Sequence, residues 1–176
     1  MQIRSEGGRT PQVCIMVNTD MGNMARQLLE KFYRPGRFNE LWFQWEGRPL
    51  MLCNPEAAPA EVKEAFTLRT AFWPGSPPYK NTPYAWHWLG VHPQAYGFTS
   101  DPKTAEQINV SPAQNMHWQT GAVELMHTGK ARGRGFNNGR QDPSIAAIQR
   151  GLNFQEQWDH ALKINPKFVM ITAWNE

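Results

Sequence analysis

The residues best suited to chemistry in this chain stand together at positions 174–176: Trp174, Asn175 and Glu176. A carboxylate beside a hydrogen-bonding amide and a flat apolar ring supplies the parts needed for acid–base work on a sugar. Glu176 is the catalytic candidate, Asn175 would bond a sugar hydroxyl or orient the carboxylate, and Trp174 would offer its face. The plainer alternative is that Glu176 only anchors a neighbouring loop. Their position carries the weight. They follow directly on the apolar run 168–173, which reads as a strand buried on both faces of a parallel sheet. In such sheets the functional groups gather at the carboxyl ends of the strands.

Further substrate-binding candidates share that kind of position. Asn18 closes a strand expected over residues 12–17, and Gln114 follows one expected over 107–111. Trp73, Trp86 and Trp88 stand at or beyond strand ends, where an aromatic face could receive the C–H face of a sugar. Loop packing is the competing reading for each tryptophan, since Trp is often largely buried. Glycosidases commonly need two carboxyl groups, and the second is not identifiable. Asp20, Asp101 and Asp142 all read as turn or N-cap aspartates.

Metal and phosphate chemistry find less support. His87, His92, His117 and His127 show no H-E-x-x-H spacing, so no metal site is assigned. His92, which precedes Pro93, is a weaker candidate for substrate contact. Segment 129–140 (GKARGRGFNNGR) holds four basic residues and four glycines but lacks the ending of a P-loop. It reads as a solvated loop beside a site, with single-stranded nucleic acid as the less favoured partner. No organic cofactor is called for.

These residues must be held by an alternating framework. Strands are expected to start near residues 12, 49, 67, 107 and 168, with helices over 23–33, 59–65 and from 153 to about 164. Residues 25, 28, 29 and 32 form the apolar stripe of the first helix. Pro59 suits the first turn of the second. In the third, Asn153 and Glu156 form a variant capping box, with Phe154, Trp158, Ala161 and Leu162 as the buried face. Glu46 and Gly47 mark a turn, Asn165 and Pro166 a helix stop. Segments 76–104 and 115–152 read as long loops. Such alternation argues for an α/β fold with a parallel sheet. No G-x-G-x-x-G follows a strand, which weakens a dinucleotide-binding reading.

The composition fits. The chain has 176 residues, 40% hydrophobic and 19% charged, as expected of globular material and enough for one domain. Its net charge of +3 is too small to indicate nucleic acid by itself. No apolar run is long enough to cross a membrane, no signal-peptide core is present, and the compartment is left open. Cys14 and Cys53 fall in expected strands and read as buried small hydrophobes. The 8 Trp exceed what a core of this size needs.

Three stretches together carry a resemblance: LWFQWEGRPLML (41–52), NFQEQWD (153–159) and PKFVMITAWNE (166–176). They resemble bacterial (β/α)8 glycoside hydrolases of the broad group that includes families 71 and 99, in which the last motif typically continues as WNEW. The resemblance implies a partial (β/α)8 TIM barrel, with residues 1–176 forming one incomplete catalytic domain that lacks elements before residue 12 and after 176 and is expected to be inactive alone. A smaller open parallel α/β sheet is the alternative. The implied activity is hydrolysis of glycosidic bonds in an oligo- or polysaccharide, with a carbohydrate as the partner. A non-catalytic carbohydrate-binding protein on the same scaffold is the runner-up, and a nucleic-acid module is third.

Overall fold

The computed structural model describes residues 2–72, 82–117, 119, 120, 122–125 and 128–175. The chain divides into two compact units, Met1–Ala71 and Phe72–Glu176. Each has α/β character, with helices set against parallel strand pairs.

In the first unit, α1 (Gln2–Ser5) precedes β1 (Ile15–Met16), α2 (Met21–Leu28), β2 (Gln44–Trp45), β3 (Arg48–Leu52), α3 (Ala60–Ala65) and β4 (Thr67–Phe72). β1, β3 and β4 run parallel, with Met51 facing both Ile15 and Leu68 in register. β2 pairs antiparallel with β3 through a two-residue turn, in which Glu46 (φ 53°) and Gly47 (φ 80°) are both left-handed. That backbone twist suits a tight hairpin. Below the strands lies an apolar core of Val17, Ala25, Leu29, Met51, Cys53, Val62, Phe66 and Leu68.

The first helix departs from its expected stripe. After Leu28 it continues as a π-helix over Leu29–Tyr33, with Arg34 N–H bonding Leu29 O and Arg37 N–H bonding Phe32 O. The wider turn inserts one residue and rotates the apolar face. Tyr33, rather than Phe32, therefore packs on the core, stacking on Trp42 at 4.4 Å and meeting Phe66 edge-on at 4.6 Å. β1 is shorter than expected, and Cys14 is exposed rather than buried; only Cys53 behaves as a core residue.

The second unit contains β5 (Ala85–His87), β6 (Tyr96–Phe98), β7 (Ala105–Val110), β8 (Gln114–His117), β9 (Ala131–Arg132), β10 (Phe136–Asn137), β11 (Arg140–Gln141), α4 (Ile145–Arg150), α5 (Leu152–Ile164) and β12 (Phe168–Ile171). β7 and β12 are parallel over four residue pairs, from Phe168 opposite Gln107 to Ile171 opposite Val110. β6 pairs antiparallel with β7, so the expected all-parallel order is corrected on that side. Segments 76–104 and 115–152 are also not plain loops. They carry β5 and β6, and β9 to β11 with α4, pieces of two to six residues that leave no readable periodicity.

β12 is half-buried rather than covered on both faces, and among the described residues it lies at the edge of the sheet order β12-β7-β6. In β7, side chains alternate in the usual period of two. Ile108 and Val110 face an apolar cluster with Ala161 of α5, flanked by Phe154, Trp158, Ile164 and Val169. Gln107 and Asn109 take the other face. Leu162, expected in the buried face of α5, is 70% exposed. Asn153 is not the N-cap: Gly151, left-handed at φ 61°, both ends α4 and starts α5.

Candidate functional site

The carboxyl end of the β7–β12 pair is built on buried amides. Asn109 accepts from Gly90 N–H at 3.0 Å, and its amide nitrogen donates to Met170 O (3.1 Å) and to the Thr172 hydroxyl. Gln107 exchanges two bonds with the His87 backbone, at 2.8 and 2.9 Å. Gln157 reaches from α5 to accept from Ser111 N–H (2.9 Å), and Asn153 donates to Ser111 O and Pro112 O (3.1 Å each). The start of α5 is thereby tied to the end of β7. All but the bond to the Thr172 hydroxyl satisfy backbone groups, which are costly to leave unpaired when buried.

This layer positions the residues beyond β12. Thr172 is held by Asn109. Ala173 then turns in the left-handed region (φ 51°), which a non-glycine residue adopts only when its surroundings enforce it. The turn brings Trp174 edge-on to Phe154 at 6.0 Å while leaving it 69% exposed. Asn175 is exposed beside it. Glu176 lies outside the described residues, as do Trp73 and His127.

The other sequence candidates do not all join Trp174. Trp86 is 4% exposed and donates its indole N–H to Glu106 at 2.7 Å, so its ring belongs to the interior and offers no platform. Gln114 is fully buried, donating to Gly90 O and the Ser111 hydroxyl at 2.9 Å each. It braces the strand-end layer instead of reaching outward. Trp88 is half-buried. Asn18 is exposed and belongs to the first unit. Asp20 holds the N-cap position of α2, while Asp101 and Asp142 form local turns with Thr104 and Ser144. Those turn bonds, the Thr104 hydroxyl for Asp101 and the Ser144 backbone N–H for Asp142, hold both carboxyls below the usual range.

A second cleft, of about 440 Å³, follows the side of α5. Gln155, Glu156, Asp159, His160 and Lys163 line it from one helical face, as their i, i+4, i+8 spacing requires. The β10–β11 hairpin closes one side through Asn137 and Asn138. Its turn is Asn138 (φ 49°) and Gly139 (φ 75°), a dipeptide suited to a two-residue hairpin. Asn138 N–H donates to Glu156 Oε1 at 2.9 Å, fastening the hairpin tip to the helix. His92 Nε2 lies 3.9 Å from the same oxygen, and the His92 and His160 rings stand nearly perpendicular at 5.4 Å. His160 Nε2 is 3.1 Å from Gln94 O. Burial pushes the Arg132 guanidinium below its ordinary value, while the Glu156 carboxylate acts in the opposite direction.

This cleft escaped the sequence reading, apart from His92. Glu156 was expected to cap α5 with Asn153, but it serves the hairpin. Two signals were present: the Asn138-Gly139 dipeptide, and polar residues at helical spacing through α5. Among the described residues, no group of three or more His, Cys, Asp or Glu is arranged to hold a metal ion, and no helix is long and apolar enough to cross a membrane. No protein-family model, curated protein or solved structure matches this chain.

Proposed function

We propose that this protein hydrolyses glycosidic bonds in an oligo- or polysaccharide, with Glu176 as the acid–base or nucleophilic group. The observation that carries this reading is the β7–β12 pairing. It is parallel and in register, and it ends in a buried amide layer and an enforced turn that leaves Trp174 and Asn175 exposed. Glu176 is the next residue in the chain. An aromatic face and an amide beside a carboxylate suit a sugar ring whose glycosidic oxygen must be protonated. In this reading the chain is part of a (β/α)8 barrel, a fold whose functional groups gather at strand carboxyl ends.

The test is release of reducing ends by the full-length protein from a panel of α- and β-linked glucans, mannans and xylans. Positioned acid–base groups contribute about 10²–10⁴-fold to rate. Glu176→Gln keeps the side chain's size but not its titrating proton, so kcat is expected to fall by about that factor. A variant that keeps most of the wild-type kcat would remove Glu176 from the mechanism, and a wild type that cleaves nothing in the panel would end the hydrolase reading. The exposed Trp174 also suits a non-catalytic sugar-binding protein. That case would show binding, lost in Trp174→Ala, without cleavage.

A further inference from the structure

The cleft along α5 is a separate piece of machinery, with features that a merely solvated surface does not need. Glu156 keeps only 11% of its side chain exposed. One of its oxygens accepts from Asn138 N–H, while the other is shut off from solvent with no hydrogen-bond partner. His92 Nδ1 is buried and unpartnered in the same way. Leaving a desolvated polar atom unpaired costs about 1–3 kcal/mol, and more for a charged one. His92 and Glu156 both line the cleft, and each keeps one ring or carboxylate atom unpaired there, as amides of the strand-end layer also do. The last torsion of a glutamate is soft, so the carboxylate can exchange its bond to Asn138 N–H for one to a ligand donor.

The lining selects the chemistry of that donor. Glu156 and Asp159 supply acceptors along α5, with cations on either side, Arg150 from the end of α4 and Lys163 from the last turn of α5. The formal charges cancel. A phosphate group would meet the two carboxylates, and a polyamine would meet the two cations. Leu152 is the one aliphatic residue in the lining, so a flat apolar ligand has little to bury against. A neutral molecule carrying many hydroxyl groups, each both donor and acceptor, matches all of these conditions. From Leu152 to Lys163 the helix rises about 16 Å, and a volume of about 440 Å³ is within the range of small-molecule sites.

We propose that this cleft is a saccharide-binding site, in which Glu156 and Asp159 accept from ligand hydroxyls while His160 and Asn138 border the ligand. It does not rest on the strand-end reading, because its residues lie on the face of α5 away from Phe154 and Trp174.

The experiment is calorimetric titration of the whole protein with glucose, maltose, cellobiose, xylobiose and mannobiose, with inorganic phosphate, spermidine and glycine as controls. At least one sugar is expected to bind. Asp159→Ala should weaken it about tenfold or more, the loss of one charge-assisted hydrogen bond. Asp159 is exposed, so this variant leaves the fold intact; Glu156→Gln should weaken binding as well. Trp174→Ala and Glu176→Gln should leave cleft binding unchanged. The proposal is overturned if no sugar binds, or if both cleft variants bind as the wild type does. It also falls if phosphate, spermidine or glycine displaces the sugar. Sugar binding that survives Asp159→Ala but not Trp174→Ala would sink the cleft and leave the strand-end site standing.

Discussion

The two units use the same kinds of element, yet they are held together by different forces. Under β1, β3 and β4 lies an apolar cluster that includes Val17, Leu29, Met51, Val62, Phe66 and Leu68, whose contribution is area removed from water; Thr67, Arg69 and Thr70 of β4 are buried as well. Around β7 the fully buried side chains include Gln107, Asn109, Gln114, Asn153 and Gln157, each bonded to a strand end or a loop backbone. An apolar core tolerates changes of residue that keep volume. An amide layer does not tolerate loss of its polar atoms, because partners are left unsatisfied in a dry place. The first unit is therefore governed by shape and the second by hydrogen-bond geometry, which is also the property a strand-end site needs.

The largest effect that tests this contrast is in the first unit. Phe66 is 1% exposed and meets Tyr33 edge-on. Phe66→Ala is expected to cost about 3–5 kcal/mol by urea unfolding, while Phe66→Leu costs much less. Equal losses from the two would contradict control by shape.

In the second unit the decisive change keeps the shape. Asn109→Leu removes the acceptor for Gly90 N–H and the donor to Met170 O, at about 1–3 kcal/mol for each group stranded. Gln157→Leu strands Ser111 N–H and falls in the same range for a single group. Both substitutions raise hydropathy, so a stabilised protein in the same unfolding experiment would refute the amide layer as a structural device.

The same contrast explains what could be read from the sequence. β4 was expected over residues 67–72 and forms there, and α3 and the Glu46-Gly47 turn also stand where propensity and periodicity place them. These belong to the unit with the larger apolar cluster, where the buried positions of α2, β3 and α3 are hydrophobic. In the second unit burial and hydropathy part. Asn153 and Gln157 occupy the inner face of α5, so a pattern search promotes Leu162 in their place. Trp86 looks like a surface platform but spends its N–H on Glu106. Trp174 and Asn175 were legible because a β-branched run aims them. The α5 cleft was not, because it joins positions 92, 137–138 and 150–163 through short strands and a turn.

A smaller effect sharpens the view of the first unit at a polar atom of its apolar cluster. The Tyr33 hydroxyl is buried without a hydrogen-bond partner. Burial, with the nearby Cys14 adding to it, pushes the phenol above its ordinary value. Tyr33→Phe is therefore expected to be neutral or to stabilise by up to about 1 kcal/mol at pH 7. The alkaline side fixes the sign. The folded state holds this proton more tightly than the unfolded state, so the contribution is intact below the unfolded pKa of about 10 and is lost as pH rises above it. Wild type should lose stability from about pH 10 upward more steeply than Tyr33→Phe. Parallel pH profiles would place the hydroxyl in water.

The smallest expected effect is the most direct test of which face of α5 matters. Leu162 sits among apolar residues in the sequence and looks like core, yet 70% of it is exposed and the apolar cluster of α5 omits it. Leucine and glutamine have nearly equal helix propensity, and a surface substitution away from special contacts usually stays within about 0.5 kcal/mol. Leu162→Gln should therefore leave urea unfolding unchanged, while Gln157→Leu, five residues earlier, costs about 1–3 kcal/mol. The two changes are opposite in hydropathy, and a rule based on hydropathy assigns them the reverse order. A loss of more than about 1 kcal/mol in Leu162→Gln would mean that α5 buries the face its sequence advertises, and the amide layer would lose its anchor at Gln157.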